Sequence, residues 1–280
     1  MIESISSSER LVGSAGARSR WRGMLAEYLG LTIALIGLVV FFSLATKHFF
    51  SPTNFTTIAN QIPSAILVAT GVTFVLIIAE IDLSVGSVLG LCGAVLGVLV
   101  SKAGCPLWLV VPAVLLTGLA CGAFNGLVSL RWRLPSFIVT LGMLEMARGG
   151  AHFITGSRTE YLGSKVASIA GWSVLGLSFP FLLAVLLVLV AQLVLTRTVF
   201  GRQLIAIGTN EEAVRLSGID PRPRKLAVFM LTGLLVSLAA IVDVSRFQSA
   251  NPNDGIGFEL QAIAAVVIGG TSLMGGRGSV

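Results

Sequence analysis

Apolar residues in this chain gather in long stretches parted by short polar clusters such as Ser51-Pro52-Thr53-Asn54 and Arg222-Pro223-Arg224-Lys225. A transmembrane helix needs about 20 mostly apolar residues. The pattern predicts spans near 28–46, 62–79, 83–100, 107–130, 136–154, 174–196, 226–243 and 260–273. The first 27 residues are polar and rich in Ser and Arg. The apolar run that follows them is longer than the 7–15 residues or so of a secretory signal core, so it reads as a retained first span.

Composition removes the alternatives. Of 280 residues, 55% are hydrophobic and 11% charged, with mean hydropathy +0.92, against roughly 25% charged in a soluble domain. A soluble enzyme, a disordered regulator and a fibrous protein are excluded together. The expected fold is all-α, a polytopic transmembrane helix bundle of about eight spans, with a polar cytoplasmic segment at 1–27 and a membrane domain over 28–280. Glycine, at 32 residues, suits helices that approach closely in lipid. Cys92, Cys105 and Cys121 have no paired spacing, and His48 and His152 stand alone, so neither a disulfide framework nor a metal site is expected.

The few charges orient the chain. With the N-terminus cytoplasmic, the inner segments hold thirteen cations: Arg10, Arg18, Arg20, Arg22, Arg131, Arg133, Arg197, Arg202, Arg215, Arg222, Arg224, Lys225 and Arg277. The outer segments hold five, Lys47, Lys102, Arg158, Lys165 and Arg246, with Arg148 near a span end. That split follows the positive-inside rule. The pI near 9.8 therefore reflects topology and anionic lipid, not nucleic acid.

Several stretches carry candidate chemistry. The pairs Gly86/Gly90, Gly93/Gly97, Gly118/Gly122 and Gly122/Gly126 place small residues on single helix faces, where packing within one subunit is the plainer expectation. Spans so rich in glycine and so interrupted favour a transport pathway over a simple anchor. The loop 197–225 is the longest internal one, and its centre has helix punctuation. Thr209 or Asn210 caps the start, Glu211 and Glu212 fill the first turn, and Gly218 ends it. Such a helix either docks into a partner's groove or is a solvated loop helix, and composition alone favours the second. The C-terminal run from Gly269 to Ser279 imitates a phosphate loop, but Gly276-Arg277 stands where Lys-Ser/Thr is required. No nucleotide site is expected in this chain.

Acidic groups at membrane depth point to function by default. Glu145/Arg148 and Asp243/Arg246 share i,i+3 spacing and are expected to neutralise each other. Asp82, followed by Ser84 and Gly86, suggests a helix cap or re-entrant turn. Glu80, Asp82, Ser84 and Asn125 are candidates for the pathway or that turn. No nucleophilic triad or zinc-protease motif is present, so an enzyme is not expected.

The motifs Ile81-Asp82-Leu83-Ser84-Val85-Gly86-Ser87, Asn125-Gly126, Pro135-Ser136-Phe137-Ile138-Val139-Thr140-Leu141-Gly142, Gly208-Thr209-Asn210-Glu211-Glu212-Ala213 and Ala262-Ile263-Ala264-Ala265-Val266-Val267-Ile268-Gly269-Gly270-Thr271 follow one another along the chain. In that order the chain resembles the permease subunits of bacterial ABC importers for monosaccharides, from about residue 50 to its end. The resemblance implies a multi-pass inner-membrane permease subunit that imports a small polar solute. A second permease subunit, an ABC ATPase that binds ATP and magnesium, and an external solute-binding protein would be its partners. It implies that Asn210, Glu211, Glu212, Arg215 and Gly218 belong to a cytoplasmic coupling helix seated in the ATPase. Family members usually carry a small residue where Glu80 stands and continue for roughly two spans beyond Gly275-Gly276-Arg277-Gly278-Ser279, so the chain is expected to lack its last spans. The competing readings are an ion-coupled secondary transporter using Glu80, Asp82 or Glu145, and a non-transporting membrane scaffold.

Overall fold

The structure is a computed structural model that describes residues 29–280, apart from 31, 47, 48 and 175 and the side chain of residue 170. The polar segment 1–27 with Arg10, Arg18, Arg20 and Arg22, and also Lys47 and His48, lies outside the described residues. The chain divides into two units, Met1–Thr57 and Ile58–Val280. In the first, helix α1 (Thr32–Ala45) is apolar, and a ladder of ring contacts runs Phe41, Phe42, Phe49, Phe50, Phe55.

Helix α2 (Pro52–Gln61) leads to α3 (Pro63–Ile77), which starts on a proline that needs no amide partner there. Then come α4 (Val85–Ser101), α5 (Leu107–Trp132), α6 (Ser136–Thr155) and the short α7 (Ser164–Ala170). They are followed by α8 (Phe179–Arg197), α9 (Val199–Thr209), α10 (Glu211–Leu216), α11 (Arg222–Phe247) and α12 (Phe258–Ile268). Four two-residue strands complete the described chain: β1 (Glu160–Tyr161), β2 (Ser173–Val174), β3 (Leu177–Ser178) and β4 (Ser249–Ala250), with β1 antiparallel to β4 and β2 to β3. The chain is a helical membrane bundle, as its hydropathy requires.

α11 is the central strut, packed on α5, α3 and α4. Two-thirds of its apolar window is enclosed, whereas α5 and α8 turn most of theirs outward. Its crossing with α5 depends on glycine. A Cβ at Gly118 would meet the Gly233 carbonyl, and one at Gly122 the Phe229 carbonyl. Without those atoms the two backbones touch, which in lipid replaces the hydrophobic drive that water would supply. This is packing within one subunit.

Elements from alternate ends of the spans pool as the charge pattern predicts. At one end Ile77 of α3 meets Gly208 of α9 and Gly276, whose amide donates to the Ile77 carbonyl at 2.9 Å. This packing is where the Gly269–Ser279 run goes, so the phosphate-loop look-alike closes a backbone junction. At the other end the Lys102 ammonium lies 2.8 Å from Glu160, Ser101 donates to the same carboxylate at 2.7 Å, and β1 pairs with β4.

That outer clamp yields a pH prediction. The Lys102 ammonium, then the Ser101 hydroxyl, hold the Glu160 carboxyl below the ordinary carboxylate range. A depressed folded value contributes stability that is complete above the unfolded carboxyl's pKa of about 4.3 and is lost as pH falls through the lowered folded value. Thermal unfolding of wild type and Glu160→Gln at several pH values is expected to show a gap on the order of 0.5 kcal/mol at neutral pH, since Lys102 is half-exposed. The two midpoints converge below about pH 4.

The spans are less even than hydropathy suggests. Only α5, α8 and α11 are long and apolar enough to cross a bilayer among the described helices, with a fourth crossing if α2 and α3 count together. The span expected at 174–196 opens with the β2–β3 hairpin and becomes helical only at Phe179. The span expected at 260–273 is an 11-residue helix. Its neighbour explains the shortness. From Ala250 beside Gly97, through Asp254 beside Gly90, to Gly255 beside Gly86, an irregular strand follows α4 inward over 11 residues of helix, about 16 Å. Irregular backbone survives at membrane depth only where protein or a water-filled cavity surrounds it. Here the α4 glycines receive it, so their stripe packs on this strand where a helix–helix crossing was expected. α12 itself runs 11 residues, about 16 Å, about half of a bilayer's hydrocarbon core.

Candidate coupling and translocation site

The loop 197–225 is mostly helical. After α8 stops at Arg197, the Thr198 hydroxyl accepts the Gly201 amide at 3.1 Å and starts α9. α9 ends at Asn210, whose side chain accepts the Ala213 amide at 2.9 Å and so caps α10. Gly218, at φ +84°, turns the chain out of α10, a backbone state that glycine adopts without strain. Val214 is buried and anchors the helix, while Glu212 and Arg215 pair at 2.7 Å on its exposed side and Leu216 stands 79% exposed.

Glu211 behaves differently. The Lys225 ammonium, on the first turn of α11, lies 2.6 Å from Glu211 and 2.6 Å from Glu80. Lys225 is buried, and Glu80 is 17% exposed. One cation therefore ties α10 to the segment that follows α3 and to the root of α11. A cleft of about 700 Å³ opens beside it, lined by Arg133, Pro135, Glu211, Arg215, Asp220 and Lys225 among others.

The chain turns on either side of Glu80. Ala79 has φ +58°, an uncommon left-handed state outside glycine. Asp82 then accepts the Ser84 amide at 2.9 Å and its hydroxyl at 2.6 Å, which fixes the entry to α4. Asn125 of α5 donates to the Ser84 hydroxyl at 2.9 Å. Ser136 and Thr140 of α6 accept the Ile81 and Leu83 amides at 3.0 and 3.1 Å. The candidates thus separate into two groups. Asp82, Ser84 and Asn125 form one buried hydrogen-bonded chain, whereas Glu80 belongs with Lys225 and Glu211.

The i,i+3 pairs do not form. Among the described residues no ion pair joins Glu145 to Arg148 or Asp243 to Arg246. Arg148 instead donates to the carbonyls of Pro252 and Asp254 at 2.7 and 2.8 Å, and Arg246 to that of Gln61 at 2.7 Å. The physical reason is supply: the inward strand brings Arg148 two carbonyls at membrane depth, and the end of α2 brings Arg246 a third, so each guanidinium finds acceptors without the carboxylate one turn away. The inward strand itself, with Asn251, Asn253 and Asp254, escaped the reading of hydropathy. Its signal was the run Asn251-Pro252-Asn253-Asp254-Gly255 between apolar stretches.

Residues 54–277 match the family described as branched-chain amino acid transport system / permease component. The ribose import permease protein RbsC of Haemophilus influenzae is 42% identical over 253 residues, 89% of this chain and 78% of that protein. The xylose transport system permease protein XylH of Escherichia coli is 34% identical over 332 residues, 96% of this chain and 84% of its own length. The L-arabinose ABC transporter permease protein AraH of Azospirillum brasilense is 34% identical over 272 residues, 95% and 80% respectively. No solved structure matches significantly.

Proposed function

Because the chain belongs to the family of permease components of branched-chain amino acid transport systems, we propose that it moves a monosaccharide inward while a partner ATPase hydrolyses ATP. It is a multi-pass inner-membrane permease subunit of an ATP-driven importer and not itself an enzyme. The names of its relatives support a pentose as the solute. The observation that carries the coupling role is the Lys225 bridge from Glu211 to Glu80.

In this reading α10 seats in a groove of the ATPase with Glu212, Arg215 and Leu216 outermost. Asn210 and Gly218 fix its two ends. ATP and magnesium bind the ATPase, and closure of its nucleotide sites pushes on α10. Glu211 passes that displacement to Lys225, and Lys225 passes it to the Glu80 segment and to α11 together. Both rearrange against the Asp82–Ser84–Asn125 chain and the inward strand beside α4. Discontinuous helices at membrane depth expose polar backbone suited to solute passage, and a sugar offers the hydroxyls to match. A second permease subunit completes the pathway, and an external binding protein delivers the solute.

The test is uptake by proteoliposomes that hold this permease with its partner ATPase and binding protein. Labelled ribose, xylose or arabinose is expected to accumulate only with ATP inside the ATPase compartment, and a protonophore is expected to leave the rate unchanged. Leucine accumulation in place of sugar would overturn the substrate reading, and collapse with the protonophore would overturn the energy source.

A further inference from the structure

Beneath the α3–α4 turn lies a small cavity of about 10 Å³, room for one particle of water's size, lined by Asp82, Ser84, Asn125, Thr232 and the glycines Gly122 and Gly233. Its polarity is lopsided. The amide oxygen of Asn125, a residue only 1% exposed, has no hydrogen-bond partner. A buried, unpaired amide oxygen is destabilising, so it requires an occupant or an explanation.

The hydrogen-bond logic fixes where that oxygen points. The Ser84 hydroxyl spends its proton on Asp82 at 2.6 Å, so it accepts from Asn125 and the amide must present its nitrogen there. The carbonyl end is thereby turned to the cavity. Thr232 of α11 likewise spends its proton on the carbonyls of Val228 and Gly71, at 2.9 and 3.1 Å, which leaves its oxygen as an acceptor. The oxygens of Asp82, Ser84, Asn125 and Thr232 thus all present lone pairs to the cavity, with the Asn125 amide nitrogen as the donor beside them.

Charge is equally unbalanced. Asp82 is 5% exposed, and no ion pair among the described residues includes it. A carboxylate out of water needs a pair, a metal or a proton. Carboxylate, amide and hydroxyl oxygens are hard ligands that suit hard cations. One negative charge balances one positive charge, and a divalent ion would be left under-compensated. The geometry points to a buried monovalent-cation site of sodium's size between Asp82, Ser84, Asn125 and Thr232. The ion pins the α3–α4 turn against the α5–α11 crossing, since its ligands come from all three elements. This proposal does not depend on which solute the permease carries.

Thermal unfolding of the full chain in detergent, at equal ionic strength in sodium, potassium or choline chloride, tests it. The midpoint is expected to stand about 3–5 °C higher in sodium than in choline and to saturate with sodium concentration. Asp82→Asn keeps the shape and removes the charge, so its midpoint is expected to be the same in both salts. In choline it is expected to match or exceed wild type, because the uncompensated carboxylate is gone. Asn125→Leu is also expected to lose the sodium effect, which keeps the site testable if Asp82→Asn does not fold. Equal wild-type midpoints in sodium and choline, or a sodium shift that survives in Asp82→Asn, would overturn the site.

Discussion

Lys225→Met is expected to lower ATP-driven uptake at least tenfold and to destabilise the permease by about 2–3 kcal/mol. Removing the ammonium leaves Glu80 and Glu211 facing a cleft with no cation between them. Breaking a fully buried pair costs about 3–5 kcal/mol, and the half-exposed Glu211 brings that figure down. Folding and coupling separate in the triple variant Lys225→Met, Glu80→Gln, Glu211→Gln. With both carboxylates neutral, unfolding midpoints should return near wild type. Uptake should stay low, because no charge ties α10 to the segment after α3. If uptake recovers along with stability, the bridge only holds the fold together and the transmission role is wrong.

The outward side of α10 should show the opposite balance. Glu212→Lys combined with Leu216→Gln is expected to leave stability within about 1 kcal/mol of wild type, since both side chains are exposed and the pair with Arg215 is a surface one. ATPase co-purification and uptake are both expected to be lost. The Asn210 cap, the Val214 anchor and the Lys225 bridge all remain, so the helix still forms and only its outer surface differs. Wild-type uptake in this double variant would sink the docking surface. Glu211 does not belong in that test, because its carboxylate is already engaged inside the subunit.

Parts of this site were legible in the sequence because they are local. The Asn210 cap, the Gly218 turn and the Asp82–Ser84 contact join residues two to five positions apart, and local geometry alone brings them together. The Lys225–Glu80 bridge spans 145 residues and has no such signature. Pairing Arg148 with Glu145 failed for a related reason. A helix face shows the partners one turn away, but not the carbonyls that a distant strand delivers. Hydropathy counted 260–273 as a span like the others because a 16 Å descent of irregular backbone carries no apolar period. The helical membrane architecture needed only the supply of apolar residues. That was readable from the chain.

The junction of Ile77, Gly208 and Gly276 also bears on how the protein is made. Its three backbones come from positions about 130 and 70 residues apart along the chain, so it is a contact of very high sequence separation, slow to form and late to reward. While the ribosome is still translating, the end of α3 has neither partner, and the Ile77 carbonyl keeps its hydrogen bond to Gly276 vacant until residue 276 emerges. Segments placed in the bilayer early therefore wait, with that carbonyl left to water, for the latest part of this stretch. An insertase or chaperone that shelters the Ile77 end of α3 during that interval would raise the yield of active permease without touching the finished molecule.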